Sequence, residues 1–261
     1  MSNNILPRMG ELNAVLTAST KGLASWENIC EKLYHMLGAN VYILDKDSRV
    51  IVSKFDKNEE KPLLLNPKTG RYEMPRELHE QLLAILSTQA NLIHESIKDL
   101  YGADYDMDEK YHMIVPIRFG KKRIGTILFA RSKKSFTDED IALCEYGGMV
   151  VGIGLLRDMD KQAEGDRRKK ESVSLTVKTL SYSEREAARH IFEALDGDEG
   201  LLVASKIADG AGITRSVIVN ALRKMESAGV IQTKSLGMRG TMIRITNPFL
   251  REGLETDLFA L

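Results

Sequence analysis

Residues 204–223 read Ala-Ser-Lys-Ile-Ala-Asp-Gly-Ala-Gly-Ile-Thr-Arg-Ser-Val-Ile-Val-Asn-Ala-Leu-Arg. The spacing predicts two short helices meeting at a tight turn. Ile207, Ala208 and Ala211 fall on the inner face of the first helix. Ala208 is small, so a second helix can cross close to it. Gly212 stands at the turn, where a positive φ would be costly for a residue with a Cβ. Ile213 plugs the turn, and Thr214 is placed to cap the second helix. Val217, Ile218, Ala221 and Leu222 form that helix's buried face, leaving Arg215, Ser216, Val219, Asn220 and Arg223 to point outward. In a helix-turn-helix, the start of the second helix is what meets base edges.

The flanks extend this pattern. Upstream, Ser183 followed by Glu186 predicts a capping-box helix start, and Asp196-Gly197 ends that helix. Downstream, 229–234 and 241–245 read as two strands around a glycine-flanked turn, Ser235 to Gly240, the ribbon of a winged helix. Between Val203 and Thr246 the bases are Lys206, Arg215, Arg223, Lys224, Lys234, Arg239 and Arg244, against the acids Asp209 and Glu226. That local excess sits in a chain with 37 basic and 37 acidic residues. It is the electrostatic footprint of a DNA-binding module. The candidate DNA contacts are Lys206, Thr214, Arg215, Ser216, Asn220, Arg223, Lys234 and Arg239, with Arg239 on the wing aimed at a narrow minor groove. Winged folds also serve as protein-interaction modules, so the alternative is a sensor whose winged domain binds a protein partner.

Residues 1–156 have another texture. Ile5, Met9, Leu12, Val15 and Leu16 recur at helical spacing, as do Trp26, Ile29, Cys30, Leu33 and Leu37. Strands are predicted at 41–44 and 50–52 around an Asp-Lys-Asp-Ser turn. Residues 56–75 form a long loop holding Pro62, Pro67 and Pro75. A helix from Arg76 to about Leu86 follows, then a hairpin of 111–119 and 123–131, and then a helix start at Thr137 with acids in its first turn. This order predicts an α+β domain with an antiparallel sheet. It resembles a GAF-type ligand-sensing domain. Residues 157–179 are charge-dense and lack proline, which predicts a solvated helical linker. Its basic run Arg167-Arg168-Lys169-Lys170 has a phosphate-contacting tether as its other reading. The expected division is therefore 1–156 sensor, 157–179 linker and 180–261 winged helix-turn-helix.

The chain has 261 residues, 43% apolar and 28% charged, which excludes a mainly disordered or collagen-like chain. Residues 1–10 lack a signal-peptide apolar run, and 141–156 is interrupted by Glu145 and four glycines, so no membrane span is expected and the protein is expected in the cytoplasm. Cys30 and Cys144 form no metal or disulfide pattern and read as small buried hydrophobes. The five histidines have no metal-ligand spacing, and no GxSxG elbow occurs, so neither an enzyme nor a prosthetic group is expected.

The runs Leu180 to Glu184, Gly200 to Asp209, Gly212 to Lys224, Glu226 to Gly229 and Ser235 to Met238 closely resemble the CodY family, global nutritional regulators of low-GC Gram-positive bacteria. Ile114 to Ile117, Arg123 to Thr126, Glu145 to Gly147 and Val150 to Gly152 fit it as well. The resemblance implies a GAF domain that binds a branched-chain amino acid (isoleucine, leucine or valine) and a linker helix. It also implies a winged helix that binds an AT-rich palindrome in double-stranded DNA as a homodimer, with GTP as a second effector. The family's Arg-Met pocket segment has no counterpart here. Met74-Pro75 matches its Phe-Pro, and Leu78 stands in place of its Tyr. Lys61 or Arg71 is the cation nearest in sequence for a ligand carboxylate, and Leu63, Leu64, Leu65 and Met74 could form an apolar cup. The family's Ser-Arg-Arg-Gly-Lys turn, implicated in GTP binding, is Asp45-Lys46-Asp47-Ser48-Arg49 here. Lys46 and Arg49 keep positive charge, while two carboxylates would repel a triphosphate.

Overall fold

A computed structural model describes residues 5–20, 25–56, 64–65, 67, 70, 72–73, 76–93 and 110–256. The chain divides into two compact units, Met1–Met159 and Asp160–Leu261.

The first unit is an antiparallel sheet with helices on both faces. Helices α1 (Ile5–Thr20) and α2 (Trp26–Leu37) precede strands β1 (Asn40–Asp45) and β2 (Val50–Lys54). A two-residue ladder, β3 (Leu64–Leu65) with β4 (Tyr72–Glu73), lies within the proline-rich stretch. Helix α3 (Arg76–Ala84), β5 (Gln89–Leu92), β6 (Lys110–Phe119) and β7 (Lys122–Ser132) follow. The five-stranded sheet runs β2-β1-β7-β6-β5, so β1 crosses over to pair with β7. Strand period explains why both faces are covered. Val41, Ile43, Met113, Val115, Ile127 and Phe129 face the core shared with α1 and α2, while Tyr42, Leu44, Ile114 and Leu128 face Leu78 and Leu82 of α3. Edge strand β5 was not legible in the sequence, because Gln-Ala-Asn-Leu carries neither β-branched nor aromatic residues. Both cysteines are buried, and burial pushes the Cys30 thiol up to about 12, in keeping with their reading as small hydrophobes.

Helix α4 (Asp138–Thr179) is continuous over 42 residues, longer than the predicted linker alone. Its start is doubly fixed. Asp140 N–H donates to Thr137 Oγ1 (3.2 Å), and the Asp140 carboxylate accepts from Thr137 N–H (3.1 Å). Buried Arg131 donates to the same carboxylate at 2.7 Å. Burial pushes the Asp140 carboxyl up, but Arg131 and Thr137 outweigh it and hold the group below its ordinary value. A Cβ at Gly148 or Gly152 would lie 3.0 Å from Val115 or Ile117, so these glycines let the helix lie close on β6.

In the second unit, α5 spans Tyr182–Glu193. Its capping box is Ser181 with Glu184, two residues before the predicted Ser183 and Glu186. Both frames carry the Ser-x-x-Glu pattern. The earlier one is favoured because it brings Glu184 to Lys224, whose Nζ donates to its carboxylate at 2.6 Å, whereas Glu186 pairs with Arg189. Strand β8 (Glu199–Leu202), helices α6 (Ala204–Ala211) and α7 (Arg215–Ser227), strands β9 (Ile231–Ser235) and β10 (Thr241–Ile245), and helix α8 (Leu250–Thr256) complete the unit. The sheet order is β8-β10-β9, so the predicted two-stranded ribbon gains a third strand. Val173, Val177, Ala187, Ile191, Ile218, Ala221, Met225 and Ile243 lie in one core.

Burial pushes the Glu184 carboxyl up, and the bonds from Lys224 and Ser181 outweigh it, so its pKa lies below the ordinary value. A carboxyl depressed by folding adds stability above its unfolded pKa of about 4.3, and that stability is lost as pH falls through the folded value. Glu184→Gln should therefore lower the thermal midpoint at neutral pH and flatten its fall below about pH 4. Melting curves across pH would check this, and an unchanged midpoint at pH 7 would show that the pair contributes nothing.

Candidate nucleic-acid interface

The turn between α6 and α7 is built as the spacing predicts. Gly212 caps α6 with φ +64° and donates its N–H to Ala208 O. Ile213 N–H donates to the same carbonyl at 3.1 Å, and its side chain packs on the core. Thr214 occupies the N-cap position of α7, but its hydroxyl bonds Ser216 Oγ at 2.9 Å and no helix N–H. The expected side-chain cap is thus replaced by a hydroxyl pair at the helix entrance. Ile218, Ala221 and Met225 are buried, with Val217 and Leu222 packed beside them. Arg215, Ser216, Val219, Asn220 and Arg223 are exposed, as the helical spacing requires.

The wing closes through Leu236 N–H donating to Gly240 O at 2.8 Å, over a 3₁₀ turn at Gly237–Arg239. Met238 and Arg239 are exposed at its tip, and Lys234 is exposed on β9. Two of the seven cations are engaged elsewhere: Lys224 pairs with Glu184, and Arg244 donates to Glu199 at 2.7 Å. Among the described residues, Lys206, Arg215, Arg223, Lys234 and Arg239 have no acidic partner within 4.0 Å. The remaining positive charge therefore lies on α6, the outer face of α7 and the wing.

The positioning residues were not legible. The Glu226 carboxylate accepts from the Thr233 N–H and hydroxyl, both at 2.8 Å, tying the end of α7 to β9. In the sequence Glu226 counts only as one of two acids, because its partner lies seven residues on, across a turn.

On the sensor side, Leu78 is buried on α3 beside Tyr42, Leu44 and Leu82. Lys61, Arg71, Met74 and Pro75 lie outside the described residues, as does Leu63. Lys46 and Arg49 are described. Lys46 Nζ donates to Asp47 at 2.9 Å, while Arg49 lies 3.5 Å from Asp47 and 4.0 Å from Glu73. The hydrogen bond from Lys46, aided by Arg49, holds the Asp47 carboxyl below its ordinary value. Arg123 entered the sequence reading only as the start of a run that fits the family, with no role of its own. It donates to Ile85 O and Gly125 O (2.7 Å each) and Thr126 Oγ1 (2.9 Å), securing the end of α3. Among the described residues there is no group of three His, Cys, Asp or Glu that could hold a metal, and no helix long and apolar enough to cross a membrane.

Two family models match the chain. The CodY GAF-like domain covers residues 4–179 and the CodY helix-turn-helix domain covers 198–256. The global transcriptional regulator CodY of Clostridium acetobutylicum is 43% identical over 252 residues, covering 96% of this chain and 98% of that protein. Its counterpart in Clostridium botulinum strain Hall is also 43% identical, over 259 residues, with 97% and 98% covered. Among solved structures, the cofactor-binding GAF domain of the nutrient sensor CodY from Clostridium difficile is 25% identical, with a TM-score of 0.48, covering 59% of this chain and 99% of that one. With both domains matched and near-full-length relatives at this identity, the chain belongs to the CodY family of global transcriptional regulators.

Proposed function

We propose that this regulator is a cytoplasmic, homodimeric repressor that binds an AT-rich palindrome and responds to a branched-chain amino acid. The observation that carries the DNA reading is the outward face of α7. Arg215, Ser216 and Asn220 are exposed at its start, and Arg215 and Arg223 on that helix have no acidic partner among the described residues. Arg215 and Asn220 carry the side chains that bond guanine and adenine edges, respectively. Thr214, Lys206, Arg223 and Lys234 supply phosphate contacts, and Arg239 reaches the flanking minor groove.

The effector reading rests on family membership and on the apolar cluster around Leu78. Lys61 or Arg71 would hold the ligand carboxylate, with Met74, Pro75 and Leu78 around its side chain. Binding of GTP at Lys46 and Arg49 has less support, because Asp47 already pairs with both.

A mobility shift at two salt concentrations tests the DNA reading. Six to ten phosphate contacts should weaken binding by about 10³–10⁵ between about 50 and 200 mM salt. Failure to shift DNA at either concentration would favour a protein partner for the winged unit. Calorimetric titration with isoleucine, leucine and valine tests the effector class.

A further inference from the structure

Helix α2 runs antiparallel beside the first half of α4, and two glycines of α4 let it come close. A Cβ at Gly147 would lie 2.9 Å from the Leu33 side chain, and one at Gly154 would lie 2.7 Å from the Trp26 ring. Residues 26 and 33, like 147 and 154, are two helical turns apart, so both contacts fall on one face of each helix. One turn beyond Gly154, the Asp158 carboxylate accepts from Trp26 Nε1 at 3.0 Å. Asp158 is the next-to-last residue of the first unit, which ends at Met159. Trp26 stands at the start of α2, and the rest of that helix is anchored through buried Ile29, Cys30, Leu33 and Leu37. The same core holds Val41 and Ile43 of β1, whose alternate neighbours Tyr42 and Leu44 pack on Leu78. Strand β1 therefore has α2 on one face and the Leu78 cluster on the other.

We propose that Trp26 is a positioning residue for the response to effector. Seated on Gly154 and bonded to Asp158, it sets the direction in which α4 leaves the first unit. It passes to α4 a displacement of β1 produced by an effector at Leu78. The inference rests on the effector reading above and names the residue through which that site would act. Close-packed side chains transmit a displacement because they have little room to absorb it. The ring in its glycine seat fixes the distance between the two helices, and the hydrogen bond fixes the rotation of α4 about its own axis. Tryptophan supplies both, an apolar body and a polar handle. Beyond Asp158, α4 continues to Thr179, about 30 Å at about 1.5 Å per residue. A tilt of about 10° at Asp158 therefore moves its far end by about 5 Å.

The test measures operator affinity of the full chain with and without isoleucine. Their ratio is the coupling factor, about 5–150-fold in ordinary allosteric proteins. Asp158 is exposed, so Asp158→Ala should leave the melting midpoint unchanged while the factor falls below about threefold. Asp158→Asn keeps an acceptor for the indole and should restore the factor, which a residue of merely structural importance would not require. Gly154→Ala favours the helix but unseats the ring. The chain has one tryptophan, so a red shift of its emission reports that release directly. The coupling factor should fall with it, as it should in Trp26→Ala. A factor that stays at its unaltered value in Asp158→Ala, Gly154→Ala and Trp26→Ala would overturn the role of Trp26 and leave the effector reading standing. An unaltered protein whose operator affinity ignores isoleucine, leucine and valine would overturn both.

Discussion

Arg215→Ala should leave the second unit folded and remove most of its discrimination between operator and unrelated DNA. The side chain is exposed and has no acidic partner among the described residues, so truncation should change stability by less than about 0.5 kcal/mol. A guanidinium bonded to a base edge contributes about 1–3 kcal/mol of discrimination. The proposed homodimer would make that contact twice, so the specificity ratio should fall by roughly 10²-fold or more. Arg223→Ala provides the contrast. It lies further along the same face, where a phosphate contact is expected, so binding should weaken evenly on all sequences and the salt slope should drop by about two, one for each copy. Competition binding with operator and scrambled duplexes separates the two effects. An Arg215→Ala protein with an unchanged specificity ratio would remove Arg215 from the base-reading surface.

Much of this interface was legible because it is local. Gly212, Ile213 and the alternation of Ile218 and Ala221 with Val219 and Asn220 lie within a dozen residues, and helical period assigns each to a face. The elements that escaped depend on distant partners. Strand β8 is defined by its pairing with β10, some forty residues later, and Glu-Gly-Leu-Leu has little strand character alone. The capping frame of α5 was decided by Lys224, not by the Ser-x-x-Glu pattern, which occurs twice. Thr214 took its expected position, while its hydroxyl found Ser216 instead of the backbone. The sensor's cation cluster shows the same limit. Sequence gives the charges of Lys46 and Arg49, and only the folded turn shows that Asp47 engages both.

A fragment beginning at Asp160 should bind the palindrome about 10²–10⁴-fold more weakly than the full chain, a larger loss than any single substitution. The cut follows from packing. The Lys169 carbonyl accepts from Asn247 Nδ2 at 2.9 Å, and Lys170 lies 3.6 Å from Glu252 and over the Phe249 ring, so a start at Ser172 would keep Val173 and Val177 but cut these ties to the folded unit. From Asp160 the fragment keeps its whole core and should fold. What it would lose, in the proposed homodimer, is the tether. Two linked winged units engage two half-sites at a high effective concentration, whereas free ones must each bind unaided. The fragment should also ignore the effector. In the full chain α4 continues from the first unit into the second, so it is the element through which effector binding would change the separation at which half-sites are met. An effector shifts that balance only by its preference for one arrangement. Whatever factor isoleucine contributes to operator affinity, operator must contribute to isoleucine affinity. Titrating each ligand in the presence and absence of the other measures both factors. A fragment that bound the palindrome as tightly as the full chain with effector would show that α4 does not carry the signal.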